Sequence, residues 1–119
     1  MQYQKIPDTE LQPSVICFGG GTLGIKLNKQ ESFTMLDKFI DAGGNFIDTA
    51  NVYGKWLPEG TNISERVLGQ WLQERGNREE IIIGTKGGHP DLSQMKEPRL
   101  DRDNILQDLH ESLKSLQTD

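Results

Sequence analysis

Gly43-Gly44-Asn45-Phe46-Ile47-Asp48-Thr49-Ala50-Asn51-Val52-Tyr53-Gly54 reads as a glycine turn, a short buried strand that stops on a carboxylate, and a loop that presents a tyrosine. A strand ending on Asp48, with Tyr53 five residues on, points two titratable groups out of one end of a sheet. Ile81-Ile82-Ile83-Gly84-Thr85-Lys86 is a second such run and stops on a lysine. If both strands lie in one parallel sheet, Asp48, Tyr53 and Lys86 gather at its C-terminal rim, where parallel α/β proteins place their chemistry.

The pattern around these two strands supports that sheet. Upstream, Val15-Ile16-Cys17-Phe18 is a continuous apolar run that predicts a strand covered on both faces, with Cys17 an inert buried thiol. A helix is expected from Asn28, an N-cap with Glu31 as its capping-box partner. Its apolar face is Phe33, Leu36, Phe39 and Ile40, and Gly43-Gly44 ends it. Between the two strands come a long loop from Thr49 to Asn62 and a helix to Glu74 with a buried stripe of Val67, Leu68, Trp71 and Leu72. Ser64-Glu65 reads as the structural start of that helix, and Gly76-Asn77 closes it. After Lys86 a polar loop runs to Leu100. Asp101 then caps a third helix whose Ile105, Leu106, Leu109, Leu113 and Leu116 predict its buried face. Tyr3–Ile6 and Leu11–Gln12 flank Pro7-Asp8-Thr9-Glu10 as a small N-terminal hairpin. Strand, loop and helix repeat three times, the alternation of a parallel α/β fold.

Composition narrows the function classes. A length of 119 residues suits one domain, and a formal net charge of -5 disfavours nucleic acid or an anionic membrane as main partner. The single cysteine fits a reducing cytoplasm, no signal peptide is evident after Met1, and no apolar run approaches the ~20 residues of a membrane span. No metal-ligand pattern is present. His89 reads as a loop residue and His110 as a solvated one, while Trp56 either lines a substrate pocket or shields its loop.

Gly19, Gly21 and Gly24 satisfy G-x-G-x-x-G directly after a strand, with Asp48 ending the next one. One reading is a Rossmann-type dinucleotide-binding module, in which the helix begins inside the glycine motif. Here the helix signals start only at Asn28, so a flexible β-to-α turn is the competing reading.

Phe18-Gly19-Gly20-Gly21-Thr22-Leu23, the Gly44-to-Gly54 stretch, Ser64-Glu65-Arg66-Val67-Leu68-Gly69 and Ile83-Gly84-Thr85-Lys86 occur in this order. Together they closely resemble the N-terminal part of the aldo-keto reductases, whose fold is a (β/α)8 TIM barrel preceded by a hairpin. The resemblance covers essentially the whole chain. It implies that residues 1–119 are the hairpin and first three β/α units of one barrel domain, ending before strand four. It also implies a cytoplasmic, NADPH-dependent enzyme that reduces small-molecule aldehydes and ketones.

By the same resemblance Asp48, Tyr53 and Lys86 match three members of a catalytic tetrad, and Gly21, Thr22, Leu23 and Asp48 contact the nicotinamide end of NADPH. The tetrad histidine, on strand four, and most groups for the adenosine phosphate have no counterpart in these residues. The residue types suit the chemistry. A carbonyl oxygen gaining negative charge needs a proton, a phenol of ordinary pKa ~10 is a poor donor near neutrality, and an adjacent ammonium stabilises the phenolate left behind. The runner-up is a non-catalytic interaction protein, since potassium-channel β-subunits share the barrel. A chain of three strands, far short of the ~250 residues of a full barrel, is also expected to self-associate through its open edges.

Overall fold

A computed structural model describes all of residues 1–119. Three strands and three helices alternate along the chain: β1 (Phe18–Gly19), α1 (Lys29–Asp41), β2 (Phe46–Asp48), α2 (Ile63–Arg75), β3 (Ile82–Gly84) and α3 (Arg102–Leu116). Short 3₁₀ turns occupy Gly20–Thr22 and Arg78–Glu80. The strands form one parallel sheet with β2 in the middle. Phe18, Ile47 and Ile83 sit side by side in it, and Gly19, Asp48 and Gly84 form the next row.

The helices cover one face of that sheet. Ile47, fully buried, joins Phe33 and Leu36 of α1, Val67, Leu68, Trp71 and Leu72 of α2, Leu116 of α3, and Leu23 and Ile81 in a single hydrophobic cluster. The expected stripes of α1 and α2 therefore both face the core. The caps follow the sequence too. Asn28 Oδ1 accepts from the Glu31 amide at 3.0 Å, and Glu31 Oε2 accepts from the Asn28 amide at 2.9 Å. Gly76 ends α2 in a left-handed conformation (φ 63°) with its amide on the Leu72 carbonyl.

Two expectations need correction. Val15-Ile16-Cys17 is not a covered strand: β1 begins only at Phe18, Val15 and Ile16 are 56% and 59% exposed, and Cys17 is exposed. The Ser14 hydroxyl donates to the Ile16 carbonyl at 2.8 Å and bends the chain there, and nothing pairs with the outer edge of β1. In α3 the buried residues are Asp108, Ser112 and Leu116, whereas Ile105 and Leu109 are exposed and Leu106 and Leu113 only half-buried. The helix turns a partly polar face inward because loop groups are there to satisfy it, as the site below shows. The N-terminal hairpin is loose: one antiparallel bridge joins Tyr3 to Ser14, and Ile6 donates to Leu11 at 3.0 Å across the Pro7–Glu10 turn.

α2 and α3 cross where Gly69 meets the backbone of Ser115 and Leu116. A Cβ at Gly69 would lie well inside contact distance of the Ser115 carbonyl oxygen and 2.8 Å from the Leu116 carbonyl carbon. Alanine there would gain up to about 1 kcal/mol of helix propensity. Prying the helices apart should cost more, because backbone cannot step aside as a side-chain tip can. We expect Gly69→Ala to destabilise the full-length protein by a net of about 1–3 kcal/mol in urea unfolding. An unchanged midpoint would show that the crossing yields freely.

Candidate active site

The sheet's C-terminal rim carries the polar residues. β2 stops at Asp48 between two residues without side chains, Gly19 and Gly84, so its carboxylate has lateral room. A Cβ at Gly19 would meet nothing within 4 Å, and one at Gly84 would meet the Phe46 ring at 3.3 Å before Asp48 Oδ1 at 3.9 Å. Pairing continues beyond the formal end of β3. The Thr49 amide donates to the Gly84 carbonyl at 2.8 Å and the Asn51 amide to the Lys86 carbonyl at 3.0 Å. Those two bonds set Lys86 beside the end of β2.

The Lys86 ammonium makes three short hydrogen bonds: 2.8 Å to each oxygen of Asp48 and 2.6 Å to the Thr49 carbonyl. It also lies 5.1 Å from the centre of the Tyr53 ring. Partial burial pushes the Lys86 pKa down, but the bond from Asp48, that carboxylate's charge and the nearby phenol outweigh it, and the net shift is upward. Lys86 is thus an ammonium across the neutral range.

The loop after β2 brings Tyr53 back over the first turn. A Cβ at Gly21 would lie 3.7 Å from the tyrosine ring, ordinary van der Waals contact, so the ring packs directly over this turn. Trp56 meets Tyr53 edge-on, with centroids 6.4 Å apart, and is half exposed. Gly54, at φ 101°, lets the chain turn away after Tyr53.

The structure thus brings Asp48, Tyr53 and Lys86 together and sets Gly21 beneath the tyrosine. Leu23 is different: the whole residue is buried, its side chain in the core and its amide on the Gly20 carbonyl at 3.1 Å, so it offers nothing to the rim surface. Thr22 is half-buried, its carbonyl taken by the amides of Ile25, Lys26 and Leu27 at 3.1 Å each. The glycine motif opens a 3₁₀ turn and not a helix, since α1 starts at Lys29. That removes the Rossmann reading, which needs a helix N-terminus at those glycines.

Cys17 sits just ahead of β1, partly desolvated although exposed at the surface. Desolvation and the charge of Asp48 both raise its pKa above the usual thiol value. His89 is half-buried with Nδ1 2.7 Å from the Pro90 carbonyl, and His110 is exposed; neither joins the cluster.

Sequence reasoning missed a second polar centre beside the first. Asp108, nearly fully buried on α3, accepts from the Gly88 amide at 2.7 Å and from Arg99 at 2.8 Å. Burial pushes its pKa up, but Arg99, the Gly88 amide and Lys55 hold it below the usual carboxylate range. Asn51, also buried, donates to Ser112 and Glu111 at 3.2 Å, and Lys55 bridges Asn51 and Glu111. Asn51, Lys55, Arg99, Asp108 and Glu111 line a cleft of about 430 Å³ next to the rim, with the Lys55–Glu111 and Arg99–Asp108 ion pairs in it. Their signal was Asp108 and Ser112 at i and i+4, polar positions inside an amphipathic helix.

The profile of the aldo/keto reductase family matches residues 15–119. The Escherichia coli (strain K12) protein tas is 38% identical over 124 residues, spanning all of this chain and 36% of its own length. An aryl-alcohol dehydrogenase of Pestalotiopsis microspora is 34% identical over 129 residues, covering 95% of this chain and 31% of its own. A crystal structure of an aldo-keto reductase from Pseudomonas aeruginosa superposes with a TM-score of 0.77 at 30% identity, over 98% of this chain and 43% of that one. The chain thus spans about a third of the length of the curated relatives it matches. Its three β/α units correspond to part of the (β/α)8 barrel of those neighbours. With a profile that runs through β1, β2, β3 and all three helices, the chain belongs to the aldo/keto reductase family.

Proposed function

We propose that the protein is an NADPH-dependent reductase of aldehyde and ketone carbonyls. In this reading residues 1–119 form the N-terminal part of one barrel domain, and the enzyme works in the cytoplasm on small molecules. The observation that carries the proposal is the Lys86 ammonium, 2.8 Å from both Asp48 oxygens and 5.1 Å from the centre of the Tyr53 ring.

The rim suits a flat ring: Gly19 leaves open space beside Asp48, Tyr53 and Phe46 present ring surfaces over Gly21 and Gly84, and Asp48 offers acceptors at its edge. Gly21, Thr22 and Asp48 would hold the nicotinamide end of NADPH, with Leu23 packed beneath them. Bound there, the cofactor supplies the hydride. The rest falls to the chain's own residues. Tyr53 gives its phenol proton to the carbonyl oxygen as charge develops on it. Lys86 stabilises the phenolate that remains, and Asp48 and the Thr49 carbonyl keep the ammonium charged and aimed. Trp56, edge-on to Tyr53, screens one side of the phenol from water.

The test is NADPH consumption, followed by absorbance, when the full-length protein meets a panel of aliphatic and aromatic aldehydes and ketones. Turnover with several of them upholds the reading. Binding of NADPH without turnover on any would favour the interaction-protein alternative.

A further inference from the structure

We infer that Glu65 is a positioning residue of the reductase, a fully buried carboxylate that acts through the Thr85 hydroxyl to fix the backbone from which Lys86 reaches Asp48 and Tyr53. The inference rests on the role of Lys86 proposed above. Glu65 lies in the first turn of α2, where the helix's positive end favours a carboxylate, yet it has no exposed surface. A carboxylate so placed needs donors, and it has two. Thr85 Oγ1 donates to Oε1 at 2.6 Å, and Asn62 Nδ2 donates to Oε2 at 2.7 Å. Asn62 is fixed in turn by Ser115 of α3, whose hydroxyl donates to Asn62 Oδ1 at 3.0 Å.

Strand geometry makes the Thr85 bond matter. Successive side chains of an extended chain point to opposite faces. With Thr85 tied to α2 on the helix side, Lys86 is set on the other side, toward Asp48. The neighbouring residue completes the device. Ser64 Oγ donates to the Gly20 carbonyl at 2.8 Å and lies 2.9 Å from Thr49 Oγ1. Thr49 is the residue whose carbonyl accepts from Lys86. Two consecutive residues at the start of α2 therefore bond to the ends of all three strands, at Gly20, Thr49 and Thr85. A helix start that only needed capping would satisfy its own amides; here Ser64 and one Glu65 oxygen bond to the sheet rim, while the other Glu65 oxygen holds Asn62 at the helix start.

The charged and titratable groups around Lys86 are Asp48 of β2, Tyr53 of the following loop and Cys17 ahead of β1. Asp48 raises the Lys86 pKa, so a Lys86 that drifts from it must titrate at lower pH.

The experiment uses the full-length enzyme with 13C-labelled lysine side chains, the Lys86 signal assigned by its loss in Lys86→Met. Thr85→Val removes the hydroxyl at nearly constant volume, Thr85→Ala is the second variant should the valine not fold, and Thr85→Ser retains the hydroxyl. We expect the valine or alanine variant to shift the Lys86 titration to lower pH and to lower kcat about tenfold or more at little change in KM. Thr85→Ser should return both toward the parent. A folded variant without the hydroxyl whose Lys86 titration overlays the parent overturns the inference. A titration that moves while kcat does not upholds the positioning and counts instead against the catalytic reading of Lys86.

Discussion

Tyr53→Phe in the full-length enzyme should lower turnover by about 10²–10⁴-fold, the range expected for a positioned general acid. That corresponds to about 2.7–5.4 kcal/mol of transition-state stabilisation. The substitution is clean because the ring's contacts do not depend on the hydroxyl. The phenyl group still lies over Gly21, still meets Trp56 edge-on, and still has the Lys86 ammonium 5.1 Å from its centre. Cofactor affinity should accordingly stay near that of the parent, so that the loss appears in kcat and not in binding. The measurement is a steady-state comparison of NADPH consumption with one good aldehyde substrate, alongside a fluorescence titration of cofactor. A phenylalanine enzyme that turns over at the parent rate would take the proton-donor role away from Tyr53. Loss of cofactor binding in the same variant would make the tyrosine a binding residue instead.

Asp48 and Lys86 were legible because each ends an unambiguous run, and Tyr53 because it follows Asp48 by five residues in a motif that resembles the family's. Phe46-Ile47-Asp48 and Ile82-Ile83-Gly84 pass from apolar to polar at the point where a parallel sheet exposes its C-terminal end, and the structure pairs them in register. The caps of α1 and α3 were legible for a similar reason: they depend on residues three positions apart. What escaped depends on partners far away in the chain. Val15-Ile16-Cys17 has a strand's composition, but composition does not say whether a neighbouring strand is there to pair with it. The leucine spacing of α3 pointed to a face that is partly exposed, because Gly88 and Arg99 of one loop and Asn51 of another make Asp108 and Ser112 comfortable inside. Glu65 read as part of a helix start because local sequence shows only that. Its burial follows from Thr85, 20 residues on, and from Asn62 bound to Ser115.

Residues 1–119 expressed alone should associate or remain partly molten, and should show no reductase activity. The rim cluster is present in them, so the argument concerns the surface around it. The accessible area is 7461 Å² for 13.4 kDa. A compact monomer of that mass exposes about 6,500 Å². The excess, roughly 1,000 Å², is comparable to the ~800 Å² that one partner buries in a stable interface. The radius of gyration tells the same story: 14.7 Å, in a slab measuring 41 × 37 × 22 Å. A compact domain of this length would have about 13.5 Å. The excess has a location. β1 and β3 each present one unpaired edge. Val15 and Ile16 stand exposed ahead of β1, while Leu100, Ile105 and Leu109 form an apolar strip beside the β3 loop, with Leu100 and Ile105 meeting over Gly88. Full burial of such a side chain is worth about 1.5–3 kcal/mol. These five, each roughly half exposed, together forgo several kcal/mol of it, against a whole margin of ~5–15 kcal/mol for a domain. Open edges and an apolar strip of that size favour pairing with another copy. Light scattering of purified residues 1–119 should therefore report species larger than a monomer, or a monomer that melts without a cooperative transition. NADPH, titrated by fluorescence, should bind far more weakly than to the full-length protein. A monodisperse monomer that unfolds cooperatively and binds NADPH at micromolar concentration would show that these three β/α units are self-sufficient, and that the exposed strip and edges cost the chain far less than their area implies.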